Sequence, residues 1–488
     1  MNVFDYFFLN SSKLKKELVL GTRETISYED IYINSAKLAG YMNDTYGENN
    51  NILVLSENSV FFITVYLAIF KSGNVCVPLN PAIEPENLKS VLAKAASEVA
   101  FVSKRYLNRF EEFSFKKINN EETNSIIEES DNNKLVEDNL PFDENRLAEI
   151  IFTSGSMGEQ KGVMLSHKNI IANTDSIIEY LKLTSDDTIE VVMPFYYCYG
   201  LSLLHTHLRV GGSVVLNNSF IFIGSVLNDL NKYKCTGFAG VPSHFQILLR
   251  KTKDFKTTEF PTLKYVTQAG GKLHKAFIQE FITAFPTIDF YVMYGQTEAT
   301  ARLSYLPPSE LKEKLGSIGK GIPGVELKVV NKKGELVKPG EDGEIIAKGG
   351  NVMGGYYKDE ATTNQTIKDG WLYTGDIATV DEDGYIFIQS RQKEIIKVRG
   401  IRISPKEIEE VIVTYPGVID CTIVAETDDI TGESLKAVVF INDADKDSFS
   451  EEGIKQHCAD QLASHKIPQK VIFETKLTFN AAGKKSKF

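Results

Sequence analysis

Residues 51–78 read NILVLSENSVFFITVYLAIFKSGNVCVP, and the pattern in this stretch sets the fold class. Ile52-Leu53-Val54-Leu55 is a short apolar, β-prone run, Val60 to Phe70 is an apolar segment of helical length, Lys71-Ser72-Gly73 is a helix stop, and Val75-Cys76-Val77-Pro78 is a second β-prone run. Strand, helix and strand in close succession make a β-α-β unit. The same succession recurs at Ile189 to Met193, Gly200 to Leu208 and Gly212 to Leu216, with Gly211-Gly212 ending the intervening helix. An α/β body with substantial parallel sheet follows. The Val60–Phe70 segment contains Thr64 and is too short to cross a bilayer, so it predicts a buried helix.

Moving outward, Glu111 to Asn145 is rich in Asn, Glu and Lys with little sustained periodicity, which predicts an exposed connection. After Gly316 the texture changes to short β-prone runs at Glu326 to Val330, Gly343 to Lys348, Ile377 to Val380 and Tyr385 to Ile388. Asn331-Lys332-Lys333-Gly334 and Asp381-Glu382-Asp383-Gly384 read as hairpin turns. The second lacks the remaining ligands and distal Glu of a calcium loop. Beyond Arg391 a small α+β unit begins: a basic strand through Ile395-Ile396-Lys397-Val398, a helix over 405–413, strands over 418–425 and 435–441, and a helix over 451–463.

The chain of 488 residues is 42% hydrophobic and 24% charged, enough to bury more than one core. Its net charge of −11 argues against a broad nucleic-acid or anionic-membrane surface, while leaving room for a local basic patch around one small anion. The start, Met1-Asn2-Val3-Phe4-Asp5, lacks the basic-then-apolar pattern of a secretory signal, and Cys76, Cys198, Cys235, Cys421 and Cys458 contain no Cys-x-x-Cys pair. A cytoplasmic protein without integral membrane association or nucleic-acid partner is expected.

The segment with the clearest chemistry is Thr153-Ser154-Gly155-Ser156-Met157-Gly158-Glu159-Gln160-Lys161-Gly162, entered by a buried strand from Leu147 to Phe152 and left by a strand from Gly162 to Leu165. Glycines for close backbone approach, hydroxyl donors and a lysine point charge suit a polyphosphate, although taken alone such a loop is equally a flexible turn. It is not a Walker loop, because Gln160 replaces the glycine before the lysine and Gly162 the following Ser or Thr. Nor is it a nucleophile elbow, since Ser154 takes the first glycine position and a strand follows. Ser166-His167 reads as a helix cap.

With its partners in order, this loop resembles that of the adenylate-forming (AMP-binding) superfamily, which includes acyl- and aryl-CoA synthetases, peptide-synthetase adenylation domains and beetle luciferases. Met157 and Gln160 stand where that loop usually has Thr and Pro. Ala68 to Pro81, Pro194 to Leu201, Gln268-Ala269-Gly270-Gly271, Tyr294-Gly295-Gln296-Thr297-Glu298, Tyr373-Thr374-Gly375-Asp376 and Arg391 to Gly400 are each similar to a family motif and occur in the family's order. Asn480-Ala481-Ala482-Gly483-Lys484 resembles its C-terminal lysine motif, with Thr478 and Asn480 replacing the usual Pro and Thr.

The resemblance implies a large N-terminal domain over 1–391, with mixed, largely parallel sheets and a β-rich subdomain, and a small mobile α+β domain over 392–488 pivoting near Lys393. It implies ATP contacts from Thr153, Ser154, Gly155, Ser156, Met157, Gly158, Lys161, Gly270, Gly271, Tyr294, Gly295, Thr297, Asp376 and Arg391. Tyr294 would pack on adenine, Thr297 reach the α-phosphate, Asp376 bind ribose, Glu298 hold Mg2+, and Lys484 serve adenylation. Lys393, Lys397 and Gly400 would serve the hinge and the approach of the thiol donor. Tyr196, Tyr197, Gln268 and Ala269 would border the acyl pocket. No aspartate occurs between Phe195 and Gly200, which favours a simple acyl or aryl acid over an α-amino acid. The implied reaction makes an acyl-adenylate and pyrophosphate, then passes the acyl group to CoA. The alternative acceptor is phosphopantetheine on an acyl carrier protein, and a non-catalytic nucleotide or acyl sensor is a third reading.

Overall fold

The opening β-α-β unit forms as strand Asn51–Leu55, helix Val60–Lys71 and strand Val75–Leu79. Ser59 starts the helix by accepting the Phe62 N–H on its hydroxyl, satisfying a donor that the first turn would otherwise leave open. Phe61 through Lys71 are all buried, which explains why the segment is apolar on every face. In this computed structural model the described residues are 1–21, 24–130, 142–154, 160–218, 220, 222–391, 396–398, 401–428 and 432–476.

The unit belongs to a sheet of order 355–356, 160–166, 147–154, 75–79, 51–55, 99–102, 116–118. Its strands from 75–79 to 116–118 are parallel neighbours, and Cys76 pairs parallel with Glu149. Strand Leu147–Ser154 turns antiparallel into Gln160–Ser166, so the phosphate-loop candidate joins two strands of a hairpin. Ser166 caps the next helix, His167–Leu181, through a reciprocal bond pattern with Asn169.

A second sheet has the order 320–321, 304–306, 289–294, 265–268, 237–240, 188–191, 213–216, 17–20, 26–27. Strands 289–294, 265–268, 237–240 and 188–191 are parallel neighbours. Their carboxyl ends therefore lie side by side and lead directly into Gly295–Glu298, Ala269–Gly271, Val241–Pro242 and Pro194–Gly200, the setting in which open α/β sheets bind ligands. A third, antiparallel sheet places 371–380 between 343–349 and 386–391. Asp381 Oδ1 accepts the Asp383 and Tyr385 N–H groups, which makes 381–384 the expected hairpin turn.

The chain has the large α/β N-terminal domain and small α+β C-terminal domain expected from the sequence. In the small domain, strand Gly432–Phe440 lies between Asp420–Asp428 and the parallel strand Lys470–Glu474, beside helices Pro405–Ile412 and Glu451–Ala459. It docks on helix Pro242–Arg250: Gln246 Nε2 donates to Asp420 Oδ1 at 2.9 Å, and Arg250 Nη1 donates to the Val413 carbonyl at 3.0 Å and to that of Val418.

One expectation is corrected. The stretch 111–145 is not simply an exposed connection, because it contains strand Lys116–Ile118 and helix Asn120–Glu129. Its polar composition hid a capping box in which Asn119 accepts the Glu122 N–H and Glu122 accepts the Asn119 N–H. Thr123 is buried, and Ile126 and Ile127 pack on the main core. Residues 131–141 lie outside the described residues.

Between the sheet and its covering helices lies a buried polar chain. Tyr66 donates to Glu149 Oε2 at 2.9 Å, and its hydroxyl lies 2.8 Å from His205 Nε2. Burial pushes Glu149 up to about 7 from 4.5 and His205 down to about 3, so both rest neutral below neutrality. The folded state retains a Glu149 proton that the unfolded chain releases. Stability from this group is thus complete at low pH and is lost as pH rises through the window from 4.5 to about 7. Glu149→Gln removes that loss. Thermal denaturation of both proteins should show the variant gaining Tm relative to wild type between about pH 5 and about pH 8. A difference independent of pH would contradict this assignment.

Candidate active site

Strand 160–166 carries Lys161 beside the hairpin loop, and Gly355–Tyr356 pairs antiparallel with its other edge. This added strand brings Tyr356 under the lysine, with Lys161 Nζ 5.1 Å from the ring centroid. The Tyr356 hydroxyl in turn donates to Glu298 Oε1 at 2.8 Å. Burial, reinforced by the Glu298 charge, lifts the Tyr356 phenol well above its ordinary range, so it remains a donor. A lysine and a carboxylate far apart in sequence are thereby held on one phenol, the lysine over its ring and the carboxylate at its hydroxyl.

Tyr294 ends its strand with its hydroxyl bonded to Asp376 Oδ2 at 2.6 Å, and Arg391 Nε donates to Asp376 Oδ1 at 3.0 Å. Asp376 is 3% exposed. Its neighbour Gly375 takes φ +75° and donates its N–H to Glu344 Oε1, while Thr374 donates to the Ile345 carbonyl, so the turn bearing Asp376 is held from both sides. Gly295, next to Tyr294, has no room for a side chain: a Cβ there would sit 2.0 Å from the Ala301 carbonyl oxygen.

Immediately beyond Glu298 the backbone is strained. Thr300 has φ +64° and ψ −60°, and Ala301 N donates to the Ala299 carbonyl at 2.7 Å, a γ-turn of the rare positive-φ kind. A β-branched residue is costly there. Asn351 holds the turn closed, donating from Nδ2 to the Ala299 and Arg302 carbonyls at 3.2 and 2.6 Å and accepting the Thr300 hydroxyl on its own carbonyl at 2.7 Å.

The aromatic segment is set by Asn58, which accepts the Phe195 N–H at 2.8 Å and donates to the Met193 carbonyl at 2.9 Å. The Tyr196 and Tyr197 rings lie 4.9 Å apart, both half-buried. The buried Tyr199 hydroxyl reaches the Thr267 carbonyl at 3.0 Å. Cys198 Sγ lies 3.6 Å from Thr297 Oγ1, which brings this segment against the Tyr294–Glu298 signature. Gln268 is 1% exposed and spends its amide on the turn, donating to the Ala269 and Gly271 carbonyls at 3.2 and 2.8 Å. It shapes the strip formed by Ala269, Gly270 and Gly271.

Thr153 and the backbone of Ser154 lie in the hairpin strand opposite Lys161 and Gln160. Lys397 lies in strand Ile396–Val398 opposite Arg402. Gly155, Ser156, Met157, Gly158, Lys393, Gly400 and Lys484 lie outside the described residues. Tyr356, Asn351 and Asn58 were not among the expected site residues. The only local signal for Tyr356 was Gly354-Gly355 preceding two tyrosines.

Comparison with known proteins agrees with this geometry. The family described as AMP-binding enzyme matches residues 10–357, and its C-terminal domain matches residues 407–484. The chain belongs to the AMP-binding enzyme family and is an AMP-forming acid–thiol ligase of the acyl-CoA synthetase-like class. It is 29% identical over 479 residues to 4-coumarate–CoA ligase-like 6 of Arabidopsis thaliana, covering 94% of this chain and 84% of that one. It is 30% identical over 445 residues to oxalate–CoA ligase of the same plant, covering 88% and 85%. Among solved structures, ATP-bound MatB from Rhodopseudomonas palustris superposes with a TM-score of 0.89 at 25% identity, covering 99% of this chain and 97% of that one. Among the described residues, no helix is long and apolar enough to cross a membrane.

Asn351→Ala removes one of the two donors from each of the buried Ala299 and Arg302 carbonyls, beside a strained turn. A loss of about 2–3 kcal/mol in unfolding free energy is expected from urea titration, with no comparable loss in an Asn331→Ala surface control.

Proposed function

We propose that this enzyme activates a carboxylic acid with ATP to an acyl-adenylate, releasing pyrophosphate, and then transfers the acyl group to the thiol of CoA. The observation that carries the reading is the convergence of Lys161, Tyr356 and Glu298 beside the linked Tyr294, Asp376 and Arg391. These groups suit the two ends of a nucleoside triphosphate.

A carboxylate resists thiol attack because its charge and resonance oppose a nucleophile, and joining it to AMP supplies a leaving group. That step brings two anions together, so it needs cations and donors aimed at the developing charge. Lys161 and the hydroxyls of Thr153 and Ser154 bind the polyphosphate, with the backbone of Gly155, Ser156, Met157 and Gly158 completing the cradle. Thr297 orients the α-phosphate and Lys484 stabilises the attacked centre. Asp376 and Arg391 bind the ribose, with Tyr294 packed on adenine beside the Gly270-Gly271 strip. Tyr196, Tyr197, Gln268 and Ala269 border the acyl group. Glu298 fits a magnesium site: Tyr356 engages one of its oxygens, and Mg2+ binds through few carboxylates plus phosphate oxygens and water. There it would neutralise phosphate charge.

The domain boundary is placed at 391–392, with Lys393 as the pivot about which the small domain turns between the half-reactions. Lys397 and Gly400 then border the thiol's approach. Named relatives act with CoA on substrates as different as oxalate and ferulate, which supports CoA as acceptor without naming the acid.

Acid-dependent exchange of labelled pyrophosphate into ATP tests the first half-reaction. Lys484→Ala should lower it by about 100-fold or more, and undiminished exchange would remove Lys484 from the mechanism. In the full reaction, AMP release dependent on free CoA is expected. Acylation of a holo-carrier protein without CoA turnover would reassign the acceptor.

A further inference from the structure

Arg302 lies just past the strained turn, four residues beyond Glu298, and is 2% exposed. Its backbone carbonyl is clamped by Asn173 at 3.2 Å and by Asn351 at 2.6 Å, so the position is not adjustable. The guanidinium carbon lies 4.3 Å from the Tyr199 ring centroid, Nε points at the Met293 thioether at 3.2 Å, and Nη1 makes a long contact of 3.4 Å with the neighbouring Ala301 carbonyl. The Tyr180 hydroxyl also hydrogen-bonds its guanidinium. Among the described residues no carboxylate pairs with it, although its surroundings are closed to water.

A guanidinium carries five donors and stays charged under all physiological conditions. Unlike Glu149, it cannot escape burial by changing protonation. A thioether, a strained backbone contact, a phenol and one ring face offset only part of the cost of burying an unpaired cation. Tyr199, which covers it, belongs to the Pro194–Gly200 segment and bonds to Thr267 at the head of the Gln268–Gly271 strip, while Cys198 in the same segment touches Thr297. A planar, bidentate donor in buried surroundings matches a carboxylate better than any neutral acceptor, because only an anion offsets the charge as well as the hydrogen bonds.

We propose that Arg302 pairs with a second carboxylate on the acyl substrate, making this a ligase for dicarboxylic acids. This rests on the adenylation reading above and names its substrate class. One carboxyl reacts at the α-phosphate and is neutralised in the adenylate, and the other remains ionised against Arg302 throughout.

The test measures kcat/KM in pyrophosphate exchange for matched pairs: straight-chain dicarboxylic acids of increasing length against monocarboxylic acids of equal length, their keto analogues, and carboxylated against plain aromatic acids. For wild type, the best diacid should exceed its monoacid by roughly 100-fold or more, since a site built around a polar partner strongly rejects the analogue lacking it. Arg302→Met should collapse or invert that ratio, and Arg302→Lys should restore part of it. Monoacids or keto acids activated as well as diacids by wild type would overturn the proposal, as would an Arg302→Met variant that lowers all acids alike. The wild-type ratio needs no variant to fold. Thermal shifts with AMP plus each acid separate the two readings. A diacid-specific rise in Tm, lost in Arg302→Met, without exchange for any acid would uphold Arg302 and sink adenylation. Exchange without diacid preference would do the reverse.

Discussion

The buried carboxylate of Asp376 is the constraint on which the site's architecture depends. It lies in strand 371–380 of the antiparallel sheet, accepts Tyr294 from the end of a parallel strand in the second large sheet, and accepts Arg391 from the strand that leads toward the small domain. A carboxylate at 3% exposure must have its lone pairs filled, and hydrogen bonds to an ionised acceptor are stronger than neutral ones. The two donors differ in character. Tyr294 is buried, whereas the Arg391 side chain is 61% exposed, so solvent screens that pair and its contribution to stability is small. The Tyr294 bond is the fixed joint between the sheets.

Steric demands organise the other side of the pocket. Gly200 admits no Cβ, which would fall 2.1 Å from the Pro194 carbonyl oxygen, and this tightness folds the aromatic segment back on itself. Gly295 is restricted in the same way by Ala301. Thr300 carries the positive-φ turn that follows, and Asn351 holds it there from a loop about fifty residues away in sequence. Positions within this turn are thus set by packing from outside the motif, which makes a short loop rigid.

The core meets buried polarity in three chemically distinct ways. Glu149 and His205 become neutral and share Tyr66. Asp376 remains engaged by two donors. Arg302 cannot become neutral, and among the described residues no carboxylate pairs with it.

How much of this was legible in the sequence follows from range. The β-α-β units showed because apolar periodicity, caps and glycine stops are local, and the motifs at 153–162, 294–298 and 373–376 pointed to the family because they occur together in its order, not because any one spacing is specific. The helix at 120–129 did not show: its one-sided burial is weak and its polar face dominates the composition. Tyr356, Asn351 and Asn58 were invisible because their partners lie far off in sequence, and no spacing rule links a tyrosine to a carboxylate 58 residues earlier. The sequence by itself determined the class of fold and, through its motifs in order, the family. Only the tertiary structure decided which distant side chain fills each buried hydrogen bond, and that Arg302 is enclosed with no carboxylate partner among the described residues, because burial and pairing arise from strand order and packing rather than from neighbours along the chain.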